Sequence, residues 1–198
     1  DAVTGPSKLV DVAVGPEKTW SIIDEKRSKI FTYDFDGNLL FAFGNDGSQL
    51  GNIKTIRAIA YQGDLLLVLD SNFNSFTVFQ RTEYGDILIR ALANENARRY
   101  SKAVDDWTEI LKRNINFDAA YIGIGKALYR SGEYEKAMAY YKAAYDTKNY
   151  SEAYKEVRKA WISKFVLLIP VIIIIIVVAW TKFIRYAAKI NRRAATAG

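Results

Sequence analysis

Between Lys164 and Lys182 the chain carries no charged residue for 17 positions, Phe165 to Thr181, reading FVLLIPVIIIIIVVAWT. A helix that crosses the hydrocarbon core of a bilayer needs roughly 17–25 apolar residues, so the run is short but sufficient. Ile172 to Val178 are all β-branched, which suits a buried strand. Yet a strand of this length without a turn signal would be far longer than globular sheets use, and a membrane helix is the better reading. Lys164 and Lys182 stand where long cationic side chains reach the two interfaces, and Trp161 and Trp180 where aromatic belts lie. Pro170 is tolerated in such a helix.

The charge distribution points the same way. The 198 residues hold 28 Lys and Arg against 22 Asp and Glu. Five of the basic residues (Lys182, Arg185, Lys189, Arg192, Arg193) lie after the apolar run with no acid among them, leaving 23 against 22 before it. Of the net charge of +6, five therefore belong to the C-terminal tail and one to the rest of the chain. A nucleic-acid binder would carry its positive charge on the folded part, so that class is disfavoured. A basic flank favours the cytoplasm, which places the N-terminal part outside and the tail inside. The tail also suits anionic lipid headgroups. That topology calls for an upstream signal peptide, and a chain starting at Asp1 rather than Met leads us to expect residues before it.

The chain has no cysteine and no histidine. Disulfide scaffolds, thiolate metal sites and thiol catalysis are excluded, and so is the side chain that does most acid–base work near neutral pH. Neither cofactor nor metal is implied.

Two internal periods are present. With a period of 46, Leu9–Gly44 matches Ile56–Gly85. In each copy a short apolar strand (Val10–Val14, Ala58–Tyr61) is followed by a second that ends in aspartate (Asp24, Asp70). A polar stretch and an alternating strand come next (Ile30, Phe31, Tyr33; Phe76, Val78, Phe79). Asp36-Gly37-Asn38 is a hairpin signal leading into Leu39–Phe43. With a period of 34, Tyr100-x-x-Ala103-x-x-x-Trp107-x-x-Ile110 recurs as Tyr134-x-x-Ala137-x-x-x-Tyr141-x-x-Ala144. A partial further copy begins at Ser151-Glu152-Ala153-Tyr154, and its first helix is expected to continue into the span and couple the repeats rigidly to the bilayer.

The first period resembles the NHL family of β-propellers, whose blades have this order of apolar strand, aspartate, polar loop and aromatic strand. The second is similar to the tetratricopeptide repeat. Tyr121, Ile124, Gly125, Leu128, Ala137, Tyr141 and Ala144 fall on that family's packing positions, with Asn149 where proline is usual. These resemblances imply a mixed multidomain chain. A partial β-propeller occupies 1–85, an α-helical solenoid stub 86–163, a transmembrane helix 164–182 and a basic cytoplasmic tail 183–198. Two blades leave open edges, so more blades are expected before Asp1. The order also resembles Gram-positive bacterial membrane proteins in which a multi-span Yip1-type domain follows and which accompany carbohydrate-uptake transporters.

Several residues invite a functional reading. Asp24 and Asp70 are the carboxylates that a metal-dependent propeller hydrolase or lactonase would use, but equivalent strand-end aspartates more simply serve a turn. The glycine-rich Gly44–Gly51 lacks the lysine-serine ending of a phosphate loop and reads as a connection between blades. The tyrosines from Tyr121 to Tyr154 offer a stacking surface, although several have packing roles. Lys126 and Arg130 lie four apart with Tyr129 beside them. First helices line the concave face of the tetratricopeptide family, so this trio is the candidate clamp for a partner's carboxylate, with Glu95 and Asn96 offered by the preceding helix. The plain alternative is a solvated helix face.

The expected function is a membrane-anchored, non-enzymatic scaffold of a bacterial plasma membrane whose partners are proteins, transporter subunits by resemblance, and the bilayer. An extracytoplasmic hydrolase is the alternative.

Overall fold

The 46-residue period returns as paired strands. In the computed structural model, which describes residues 4–47, 49, 51–71, 74–166 and 168–195 and the side chains as far as 185, β1 (Leu9–Val14), β2 (Trp20–Asp24), β3 (Lys29–Tyr33) and β4 (Leu39–Phe43) form one antiparallel sheet in sequential order. A second antiparallel sheet contains β5 (Ile56–Gln62), β6 (Leu65–Asp70) and β7 (Ser75–Gln80). Ser48 and Leu50 of the glycine-rich loop, Asn72 and Phe73 of the second polar stretch, Leu167 of the apolar run and Thr196–Gly198 of the tail lie outside the described residues. So do the side chains of Lys189, Arg192 and Arg193.

The expected partial propeller is corrected here. The protein is an α/β chain of two small, open antiparallel sheets of four and three strands, with six helices among the described residues, and neither sheet closes. Shifting β4 by the 46-residue period lands on Gly85–Ile89, and that segment is helical. It belongs to α1 (Glu83–Asn96), where Thr82 caps the start by accepting from the Gly85 N–H. Glu83 and Asp86 favour the first turn of that helix. Ile87, Leu88, Ala91 and Leu92 then form a buried stripe at helical spacing. Helical periodicity wins over strand at this point, so the second copy ends one strand short.

The inner faces of the two sheets share one core of Ile23, Ile30, Ile53, Ile56, Ile59, Leu66 and Val68. Polar bonds join the sheets as well. Asp11 Oδ2 accepts from the Ile59 N–H at 2.9 Å, and the Ser21 and Tyr61 hydroxyls lie 2.7 Å apart. The opposite face of the second sheet stays open. Leu67 pairs with Val78 and Leu69 with Phe76, yet Phe76 is 70% and Val78 54% exposed.

After α1, α2 (Tyr100–Arg113), α3 (Asp118–Arg130) and α4 (Tyr134–Ala143) follow through turns of a few residues, so consecutive helices pack against each other. The 34-residue period marks the core between them. Ala103 and Ala137 are fully buried, as are Trp107 and Tyr141 to within 2%. Helix α3 meets both rings with glycines. A Cβ at Gly123 would overlap the Trp107 indole, and one at Gly125 would lie 2.6 Å from Tyr141 Cε1. The expected solenoid stub thus takes the form of four packed helices continuous with the sheets' unit, and nothing in their arrangement identifies a named repeat family.

The chain divides into two units, Asp1–Tyr150 and Ser151–Gly198. The boundary falls inside α5 (Thr147–Phe165), which ends before α6 (Leu168–Ala195) begins. Pro170 explains the break. It has no N–H to donate to the Val166 carbonyl, and its ring crowds that oxygen. The helix leading towards the span therefore stops short of it instead of running through. Within α6 the stretch Leu168–Arg185 has a mean hydropathy of 2.3 and no residue buried, which is long and apolar enough to cross a membrane. Helix α6 then continues to Ala195.

Candidate functional site

Lys126 is drawn inward, not outward. The hairpin turn at Asp36-Gly37-Asn38, with Gly37 at φ +86°, is braced by Asp34, whose carboxylate accepts from the Asn38 N–H at 2.8 Å and from its side-chain amide at 2.7 Å. The turn points at α3. There the Lys126 ammonium lies 2.6 Å from Asp36 Oδ2 and 3.6 Å from Asp34 Oδ2. Burial works against this charge, but the two aspartates outweigh it and the ammonium pKa is raised. At neutral pH Lys126 is a fixed cation, unsuited to act as a nucleophile or base.

Glu95 completes the group from the last turn of α1. Its Oε1 accepts the indole N–H of Trp107 on α2 at 2.5 Å. Burial raises its pKa to about 7, against the opposing pull of that hydrogen bond and of Lys126 and with a smaller push from Asp34 and Asp36. Asn96 donates to Glu17 Oε2 at 2.8 Å on the same rim. Together these residues line a cavity of about 110 Å³ where the sheet's turn meets α1 and α3. Chemically it holds the half-buried Lys126 and the exposed Lys18 among several carboxylates, and one of those carboxyls exchanges its proton near neutrality.

The sequence placed Lys126, Glu95 and Asn96 near one another, and the structure brings all three to this cavity. It separates the rest of the expected clamp. Tyr129 packs edge-on to Tyr134 with ring centroids 5.2 Å apart, and Arg130 is exposed at the end of α3. Asp34 and Asp36 were missed because Asp-Gly-Asn was read only as a hairpin turn. No signal in the sequence joins that turn to a lysine 90 positions later.

Asp24 and Asp70 are buried and equivalent. Asp24 Oδ1 accepts from the Lys8 N–H at 3.1 Å and Asp70 Oδ2 from the Lys54 N–H at 2.8 Å, each 16 residues upstream. Asp24 also holds Arg27 at 2.7 Å. Burial pushes the Asp24 pKa up, but the Arg27 and Lys8 bonds more than compensate and leave it lowered. Both carboxylates stitch the start of one strand to the end of the next. Among the described residues no group of three or more acidic side chains is placed to hold a metal ion. The glycine-rich loop runs from β4 to β5 with no helix after it, held by Lys29 at the Gly44 carbonyl and the Asn45 side chain.

The tyrosines divide. Tyr141 is buried, Tyr121 lies 6.4 Å from Tyr140 between ring centroids, and Tyr145 is 90% exposed. At the membrane end, Trp161 is 64% and Trp180 63% exposed. Trp161 packs 4.9 Å from Phe165, with the Lys164 ammonium over the Phe165 ring. Trp180 lies 6.2 Å from Phe183, one residue past Lys182.

The chain matches no protein-family model and no curated protein.

Proposed function

We propose that this chain is a membrane-anchored, non-enzymatic binding protein of a bacterial plasma membrane, with its folded N-terminal part outside and the basic end of α6 in the cytoplasm. The observation that carries the reading is the stretch Leu168–Arg185, apolar and wholly uncovered, following a folded unit whose second sheet leaves Phe76 and Val78 open to solvent. An apolar strip on a sheet face suits a protein partner. The charged groups that a reaction would use are instead engaged with one another, as at Lys126 and Asp24. The partner we propose, on the resemblance of the chain's organisation, is a carbohydrate-uptake ABC transporter. The basic residues after the span support the orientation.

The test is purification of the tagged full-length protein from its native membrane in mild detergent, with mass spectrometry of what accompanies it in stoichiometric amounts. Transporter subunits are the expected companions, released by Phe76→Ser with Val78→Ser, and recovery of the protein alone would overturn the partner. Orientation is separately testable because the chain lacks cysteine. Ser131→Cys should react with an impermeant maleimide in intact cells and Asn191→Cys should not. The reverse pattern would overturn the topology.

A further inference from the structure

A second, larger cavity of about 330 Å³ opens between the two sheets and α1. Its floor is one cross-strand row of the second sheet, Tyr61 paired with Leu66 and Leu66 with Phe79. Phe43 of β4 forms a wall, its ring centroid 5.0 Å from that of Phe79. Tyr84 and Ile89 of α1 close the other side. Leu66 and Ile89 are buried, while the four aromatic rings are half-buried and turn their remaining surface to the void.

Four of the polar side chains around the cavity already have partners. Arg81 at the rim donates to Asp64 at 2.6 Å and to Asp86 at 3.0 Å. The Tyr61 hydroxyl pairs with Ser21, the Thr19 hydroxyl donates to the Pro16 carbonyl at 2.7 Å, and the Tyr84 phenol, its pKa raised by burial, bonds to Asn114. An anionic ligand would find no free cation, because Arg81 is already shared between two carboxylates. A sugar would leave water for a site with few hydrogen bonds to return. What the cavity offers is aromatic surface at the small end of the size range of ligand pockets.

We infer that the cavity bounded by Tyr61, Leu66, Phe79, Phe43, Tyr84 and Ile89 is a binding site for one small, neutral, ring-bearing apolar molecule. Such a ligand gains by removing half-wetted ring faces from water and by offset or edge contacts with them. The site is independent of the proposed transporter partner.

The experiment uses the full chain in detergent, labelled at isoleucine and leucine methyls, and titrates indole as the probe. Naphthalene-2-sulfonate and maltose serve as the charged and the hydroxylated comparisons. Saturable shifts of the Leu66 and Ile89 methyls with indole, and none with the other two, are expected. Phe79→Trp, which pushes a larger ring from the floor into the space the probe would occupy, should weaken indole binding about tenfold or more. Leu66→Phe provides the same block if the first variant fails to fold, and Phe76→Ser on the opposite face should leave binding unchanged. Binding to the micelle is common to all variants, so the comparison isolates the cavity. Shifts that never saturate, that survive in both blocked variants, or that maltose or the sulfonate produces equally would overturn the site.

Discussion

Trp107 donates its indole N–H to Oε1 of Glu95, tying α2 to the last turn of α1 across 2.5 Å. The bond holds a carboxyl whose burial disfavours its charged form. Lys126 offsets only part of that cost because Asp36 and Asp34 already hold it.

Glu95 should therefore make stability depend on pH in the neutral range. Its folded-state pKa is about 7 against an ordinary value of 4.5, so the folded protein keeps a proton that the unfolded chain loses between those values. Stability is greatest on the acid side of this window, falls as pH rises from about 4.5 to about 7, and levels beyond. The total is on the order of 3 kcal/mol. Thermal unfolding between pH 5 and 8.5 should show the decline, and Glu95→Gln should flatten it. An unchanged slope in that variant would assign the titration elsewhere.

Gly123 and Gly125 should resist replacement. Glycine to alanine in a helix ordinarily stabilises by about 1 kcal/mol, but here the new methyl meets the Trp107 or the Tyr141 ring. Each substitution should cost about 1–3 kcal/mol instead. Pairing Gly123→Ala with Trp107→Phe should recover part of the loss relative to the sum of the single changes, measured as a double-mutant cycle in urea.

Asp24→Ala and Asp70→Ala should both destabilise, by about 1–3 kcal/mol each, since each empties a buried carboxylate's place and removes the acceptor of part-buried backbone N–H groups. The Asp24 change also removes the ion-pair partner of Arg27. Because the Asp24 pKa is lowered, its contribution is present above the ordinary carboxylate range and is lost as pH falls below it. Acid titration of wild type and Asp24→Ala should therefore converge at low pH.

Pro170→Ala should restore the hydrogen bond to the Val166 carbonyl and fuse α5 with α6. Spin labels at Ser163→Cys and Ile174→Cys would then sit about 16 Å apart along a straight helix axis, 11 residues at about 1.5 Å each. The expected result is a narrower and longer distance distribution than in the proline form. Identical distributions would mean that the break has another cause.

Much of this architecture is local, and the sequence alone determined it. Alternating apolar residues placed the strands, and Asp36-Gly37-Asn38 placed the hairpin. The 34-residue spacing picked out Ala103, Trp107, Ala137 and Tyr141 as core, and the charge-free run marked the helix able to span a membrane. That Asp24 and Asp70 are equivalent strand ends is legible in the repeat, but their role is not the local turn expected of them, since each accepts from a backbone N–H 16 residues upstream. Only the tertiary structure decided what depends on elements distant in sequence. Shifting β4 by the 46-residue period would put a fourth strand at Gly85–Ile89, but those residues form a capped helix whose apolar stripe packs against α2, in line with the helical region expected from 86 onward. The two sheets consequently stop as open sheets. Lys126 looked like an outward clamp because a helix position says nothing of what faces it, and the carboxylates that hold it come from a hairpin 90 residues earlier. The aromatic cavity has the same origin. Its walls come from β4, β5, β6, β7 and α1, and only their packing brings the rings together.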